Sequence, residues 1–161
     1  AHFNPAVTLV FALKKQLSIP ESAIYVAMQI AGGILGVWVA HMMFDQPVFQ
    51  WSAKLRTGEA QWFAELIATF GLLLTILVTL KQKSEAVPLA VGLYITAAYW
   101  FTASTSFAHP AVTIARSLSN SFAGILVDHV PAFIIAQFTG AVLALLVNKY
   151  LLTPANAHQN A

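Results

Sequence analysis

The sequence predicts an all-α transmembrane protein: four spanning helices and two re-entrant half-helices arranged as an inverted repeat. Three observations carry that expectation. The chain is too apolar for water, one short motif occurs twice, and an odd number of membrane-length stretches separates the copies. Hydrophobic residues make up 58% of the 161 positions and charged residues 9%, against roughly 25% charged in a soluble domain. The motif reads Asn4-Pro5-Ala6-Val7-Thr8-Leu9 first and His109-Pro110-Ala111-Val112-Thr113-Ile114 second.

Spans need about 20 mostly apolar residues, which places them near 22–44, 61–80, 86–107 and 131–152. Three of these lie between the motifs, so the second copy is inverted relative to the first. Cytoplasmic loops are enriched in Lys and Arg. Lys14, Lys15, Lys81, Lys83 and Lys149 fall on one side, and Lys54, Arg56 and Arg116 on the other with Asp45, Glu59 and Asp128. That bias puts the first motif on the cytoplasmic side. The segments after each motif, 4–15 and 109–122, are too short to span and read as re-entrant. A helix rises 1.5 Å per residue, so about ten residues cover half of a roughly 30 Å core.

The repeat extends further. Residues 25–32 resemble 133–140, with Gln29 and Gln137, and Gly32 and Gly140, at matching places. Residues 1–57 are expected to hold the remainder of a first repeat, a half-helix and one span. Residues 58–161 are expected to hold a second repeat of two spans, a half-helix and a last span. The chain begins at Ala1 directly before the first motif, without Met or signal peptide, and is expected to be a fragment lacking upstream spans.

Composition also excludes function classes. The net charge of +2 and pI of about 9.1 reflect loop lysines rather than a nucleic-acid-binding face. With no cysteine, disulfides and thiolate metal sites are ruled out. No nucleophile–base constellation is present, so no enzyme is expected, nor any metal or cofactor. Asp128-His129 has no further ligand nearby and reads as a turn before Pro131. His41, near a span end, reads as interfacial, and His2 as part of the first motif's entry loop.

The motif has a direct physical meaning. Asn is a strong helix cap, and Pro is favoured at the first helical position because its missing N–H would be unsatisfied there anyway. Each motif therefore starts a helix, and each start carries roughly half a positive charge. Two such ends meeting inside a membrane oppose protons and cations, while an Asn amide offers hydrogen bonds to a passing oxygen.

The chain resembles the aquaporin and glycerol-facilitator family (major intrinsic proteins). The resemblance rests on Ala1-His2-Phe3-Asn4-Pro5-Ala6-Val7-Thr8, on Phe107-Ala108-His109-Pro110-Ala111 and on Ala64-Glu65-Leu66-Ile67-Ala68-Thr69-Phe70-Gly71, and covers essentially the whole chain. Exclusion of cations by opposed half-helix dipoles is the established account of aquaporin-type pores, not a result of this sequence. The resemblance implies an aquaporin-like fold of six spans, of which the first two are missing here. It further implies a homotetramer with one pore per subunit, and a multi-pass place in the cell membrane, here a bacterial inner membrane. Membrane lipid and small neutral solutes are the implied partners, with no cofactor and no nucleic acid.

Against the family pattern, His109 stands where Asn is usual, and burial beside positive helix ends favours its neutral form. Val112 stands at the filter position where Arg is usual. The run Pro-Ala-Val-Thr-Ile-Ala-Arg resembles a bacterial subgroup, some of whose members conduct trivalent arsenic acids. Val for Arg widens the constriction and makes it more apolar. Arg116, four residues on and roughly on the same face, either restores positive charge at the outer vestibule or snorkels to the membrane surface. Family spacing makes Ser106 and Ala97 the other filter positions present. Glu65, an ionisable residue in an apolar span, matches the family Glu that hydrogen-bonds the re-entrant loop. Gln29 and Gln137 are expected to brace loops. Gly32, Gly33, Gly36 and Gly140 are expected to permit close helix approach.

The resulting expectation is a passive channel for water or small uncharged solutes, glycerol-like polyols or arsenous-type acids. The alternative is a non-conducting remnant or structural membrane protein, suggested by His109 and the missing spans. A secondary active transporter is a poorer third option, since Glu65 is the only candidate ligand for a coupling ion.

Overall fold

A computed structural model describes residues 2–151; Ala1 and residues 152–161, which include the end of the last expected span, lie outside the described residues. Every regular element among the described residues is helical. The first half-helix, α1 (Pro5–Leu13), follows the Asn4 cap. Helix α2 (Ile19–Met43) opens on a capping box. The Ser18 hydroxyl accepts from the Glu21 N–H at 3.3 Å while Glu21 Oε2 accepts from the Ser18 N–H at 3.0 Å, satisfying two otherwise orphaned donors.

Helix α3 (Glu59–Gln82) starts after Gly58, whose φ of +102° is a conformation glycine adopts freely. A 3₁₀ turn at Ser84–Ala86 leads into α4 (Val87–Phe101). The second half-helix is α5 (Pro110–Arg116), and a 3₁₀ turn at Val127–His129 leads into α6 (Val130–Tyr150). Among the described residues, three helical stretches are long and apolar enough to cross a membrane: Ile19–Met43, Glu59–Gln82 and Val127–Tyr150.

The expected span 86–107 departs from this pattern. Its helix ends at Phe101, 15 residues long, or about 22 Å. Thr102 is extended, and Thr105, Ser106 and Ala108 all have positive φ. Two causes act together. Ser and Thr fill four of the five positions 102–106, and such residues compete with a helix for backbone bonds. The N–H groups of Phe107 and Ala108, which a continuing helix would turn back on itself, are taken by Glu65 at 2.8 and 2.9 Å. Likewise, the second re-entrant helix is seven residues rather than the expected 109–122, its C-terminal part being turns.

The core lies between α3 and α6, with α1 packed on it. Ala6 and Val10 of α1, Leu72 and Leu73 of α3, and Ala141 and Ala144 of α6 form one buried cluster. Gly140 makes the α3–α6 approach possible: a Cβ there would collide with the Leu66 carbonyl oxygen and lie 3.0 Å from the Phe70 nitrogen. Gly33 brings α2 against α5, with Ala115 Cβ 3.3 Å from where its own Cβ would be. Gly32 and Gly36, expected to act similarly, meet nothing within 4 Å. Each half-helix packs on both α2 and α6, so each touches one long helix from either half of the chain.

Candidate functional site

The site is built where the two half-helices begin. Asn4 caps α1, its Oδ1 accepting from the Ala6 N–H at 2.8 Å. Its Nδ2 donates to the Ala108 carbonyl oxygen at 2.7 Å. His109 caps α5 in the same way, its Nδ1 accepting from the Val112 N–H at 3.3 Å. Its Nε2 lies 2.6 Å from the Phe3 carbonyl oxygen. Each cap residue thus reaches the carbonyl just before the other cap. The N-terminal ends of α1 and α5 therefore meet, tied by two reciprocal hydrogen bonds.

The mirror relation continues outward. Thr8 and Thr113 hydroxyls donate to the carbonyls of Asn4 and His109 at 3.2 and 3.1 Å. Gln29 Nε2 donates to Thr8 Oγ1 at 3.1 Å and Gln137 Nε2 to Thr113 Oγ1 at 2.8 Å. Gln29 also holds the His2 carbonyl oxygen at 2.8 Å, whereas Gln137 reaches the α5 entry loop only through Glu65. Glu65 is fully buried. Besides the two N–H groups of the α5 entry loop, it accepts from Gln137 Nε2 at 2.6 Å.

A cavity of about 630 Å³ runs past both caps, bordered by Asn4, His109, Val112, Ser106 and Arg116 among others. Along α4 its wall extends from Val87 to Tyr99, about 18 Å at the helical rise. His2 borders it at the other motif, its ring 4.4 Å from that of Phe11 and 5.6 Å from that of Tyr25. Ser106 is 2% exposed, and its hydroxyl has no hydrogen-bond partner among the described residues.

Ala97 does not belong to this wall. It is exposed, and the α4 residues bordering the cavity are Val87, Pro88, Val91, Ile95 and Tyr99. Two positions along a helix turn a side chain by about 200°, so Ala97 points away from the side on which Tyr99 lies. Arg116 borders the cavity with its guanidinium 4.3 Å from the Phe107 ring centroid. His41, expected to be interfacial, is buried. Its Nδ1 donates to the Val48 carbonyl oxygen at 2.8 Å and its Nε2 lies 3.1 Å from Ser119 Oγ.

In the sequence Arg56 stands only as a loop charge, yet in the structure it is buried. Its guanidinium donates to the carbonyl oxygens of Gly124, Ser104 and Phe122 at 2.8, 3.0 and 2.8 Å. It also lies 4.9 Å from the Phe107 ring centroid, so two guanidiniums contact one aromatic ring. Burial, and secondarily Arg116, push Arg56 below its ordinary pKa while Glu65 acts the other way. An arginine remains charged through such a shift. Arg56 therefore clamps the α4–α5 segment to the turns after α5.

Two half-helices with joined tips, a repeated brace of Gln and Thr, and a cavity along them define a membrane protein of the inverted-repeat half-helix class. The chain belongs to the Major intrinsic protein family, whose model matches residues 1–88 and 79–161. It is 57% identical over 155 residues to Aquaglyceroporin AqpS of Rhizobium meliloti (strain 1021), covering 96% of this chain and 66% of that protein. Probable aquaporin PIP2-8 of Oryza sativa subsp. japonica is 27% identical over 97% of this chain and 62% of its own length. Aquaporin-1 of Mus musculus is 25% identical over 98% of this chain and 61% of its own length. The chain thus spans less than two thirds of the length of these relatives.

Proposed function

We propose that the protein is a passive membrane channel for water and small uncharged solutes, glycerol-like polyols or arsenous-type acids, moving single file where the half-helix tips meet. The observation that carries this reading is the cavity bordered by both cap residues and elongated along α4. Similarity to a protein named an aquaglyceroporin supports the solute class. Val112, Ser106 and, in place of Ala97, Tyr99 serve as the filter residues on this reading, with Arg116 at the outer vestibule. Val112 leaves that filter more apolar than an arginine would, favouring a solute with some carbon surface.

The passive character has its own support. Glu65 is an ionisable group deep in a long apolar helix, but its oxygens already accept three hydrogen bonds from Phe107, Ala108 and Gln137. A carboxylate so engaged serves structure and is not free to carry a coupling ion or relay a proton. The reading also treats 1–57 and 58–161 as the two halves of an inverted repeat, in a homotetramer of a bacterial inner membrane.

Stopped-flow light scattering on proteoliposomes holding the full gene product tests the proposal. Osmotic and glycerol flux above that of empty liposomes, indifferent to an imposed proton gradient, is expected. Flux no greater than in empty liposomes would leave a structural membrane protein instead.

A further inference from the structure

The two motif heads differ in how many donors they keep for a solute. Asn4 carries two amide N–H bonds. One is given to the Ala108 carbonyl oxygen at 2.7 Å, and Asn4 borders the cavity with the other still to place. The His109 ring stands between the Val112 N–H, 3.3 Å from Nδ1, and the Phe3 carbonyl oxygen, 2.6 Å from Nε2. A backbone N–H only donates and a carbonyl only accepts. Nδ1 must therefore hold a lone pair and Nε2 the proton, which is the neutral ring with its single proton already engaged.

We infer that His109 is a tie between the half-helices and gives no hydrogen bond to the passing solute, so that Asn4 is the one donor among the two motif heads. The inference rests on the channel reading above and deepens it. With both ring nitrogens engaged, only the carbon atoms of the imidazole are left to meet a solute in the cavity it borders. Water crossing this point replaces fewer of its lost partners than it would beside two asparagines. A polyol brings C–H surface that the ring's carbon edge matches. The substitution therefore disfavours water relative to small neutral polyols, acting through donor number rather than pore width.

The test compares the full gene product with its His109→Asn variant in proteoliposomes, measuring water and glycerol permeability separately. Asparagine keeps the cap and the tie and adds an N–H, so the water-to-glycerol ratio is expected to rise about fivefold, the order expected for one net hydrogen bond. An unchanged or lower ratio overturns the inference. Nitrogen-15 magnetic resonance of histidine-labelled protein reads the tie itself, the His109 signal being the one the variant lacks. A ring protonated on Nε2 alone, with or without glycerol, supports it; a ring protonated on Nδ1 overturns it. Absence of all flux in both proteins, with the Nε2-protonated signal present, would sink the channel reading and the selectivity drawn from it while the tie stood.

Discussion

Replacing Glu65 with glutamine should loosen the outer half of the site. The segment before α5 holds Thr105, Ser106 and Ala108 at positive φ, and such non-glycine conformations cost roughly 1–2 kcal/mol each. Against this strain stand the two backbone hydrogen bonds to Glu65, at 2.8 and 2.9 Å, worth about 1.5–3 kcal/mol each when the acceptor is charged. The two effects are of the same size, so the loop's shape depends on both bonds being present. Glutamine has one acceptor oxygen where the carboxylate has two. Whichever way its amide turns, its NH₂ faces either the Phe107 or the Ala108 N–H and leaves that donor unpaired. The loss, about 2–3 kcal/mol for a buried donor left unmet, is partly offset because a charge no longer has to be buried. The carboxylate's three donors had already met much of that cost. We therefore expect Glu65→Gln to fold, to melt at a lower temperature in detergent and to conduct more slowly in stopped-flow assays. Wild-type melting together with wild-type flux would refute the reasoning.

Gly140→Ala drives a methyl group into the Leu66 carbonyl and should cost about 1–3 kcal/mol of stability. Gly32→Ala meets nothing within 4 Å and should be neutral or stabilising by up to about 1 kcal/mol; thermal unfolding of both variants checks the contrast. Arg56→Gln removes the charge-assisted bonds to Ser104, Phe122 and Gly124. It should expose the turns after α5 to hydrogen exchange and protease while leaving α3 and α6 protected. Val112→Arg places a cation at the constriction and should lower glycerol permeability more than water permeability, measured on the same liposomes.

What could be read from the sequence was what is local to it. Asn4-Pro5 and His109-Pro110 announce helix starts because capping is decided within three or four residues. The long helices follow from apolar runs, and Gln29 and Gln137 stand out as polar groups inside them. Glu65 was legible for the same reason, with the family resemblance supplying its partner. Arg56 was not legible, because its acceptors are backbone carbonyls, which every residue type provides, 48 to 68 positions away. The end of α4 at Phe101 has a local signal in the Ser/Thr run 102–106, which lies inside the otherwise apolar stretch 86–107. Family spacing selects Ala97 rather than Tyr99 because the segment after Phe101 is not helical, and two residues reverse a helix face. His109 announced a cap, but its bond to Phe3 depends on how the two halves meet.

Cysteine scanning of the cavity wall tests the central claim most directly, since this chain contains no cysteine. In the full gene product, with any other cysteines removed, a thiol at Val112 should bind a mercurial and lose solute flux, and regain it when an excess of a small thiol strips the mercury. A thiol at Ala97, on the exposed side of α4, should leave flux untouched under the same treatment. Flux that persists with Val112→Cys fully labelled, or is blocked by labelling Ala97→Cys alone, would show that solutes do not travel along this cavity.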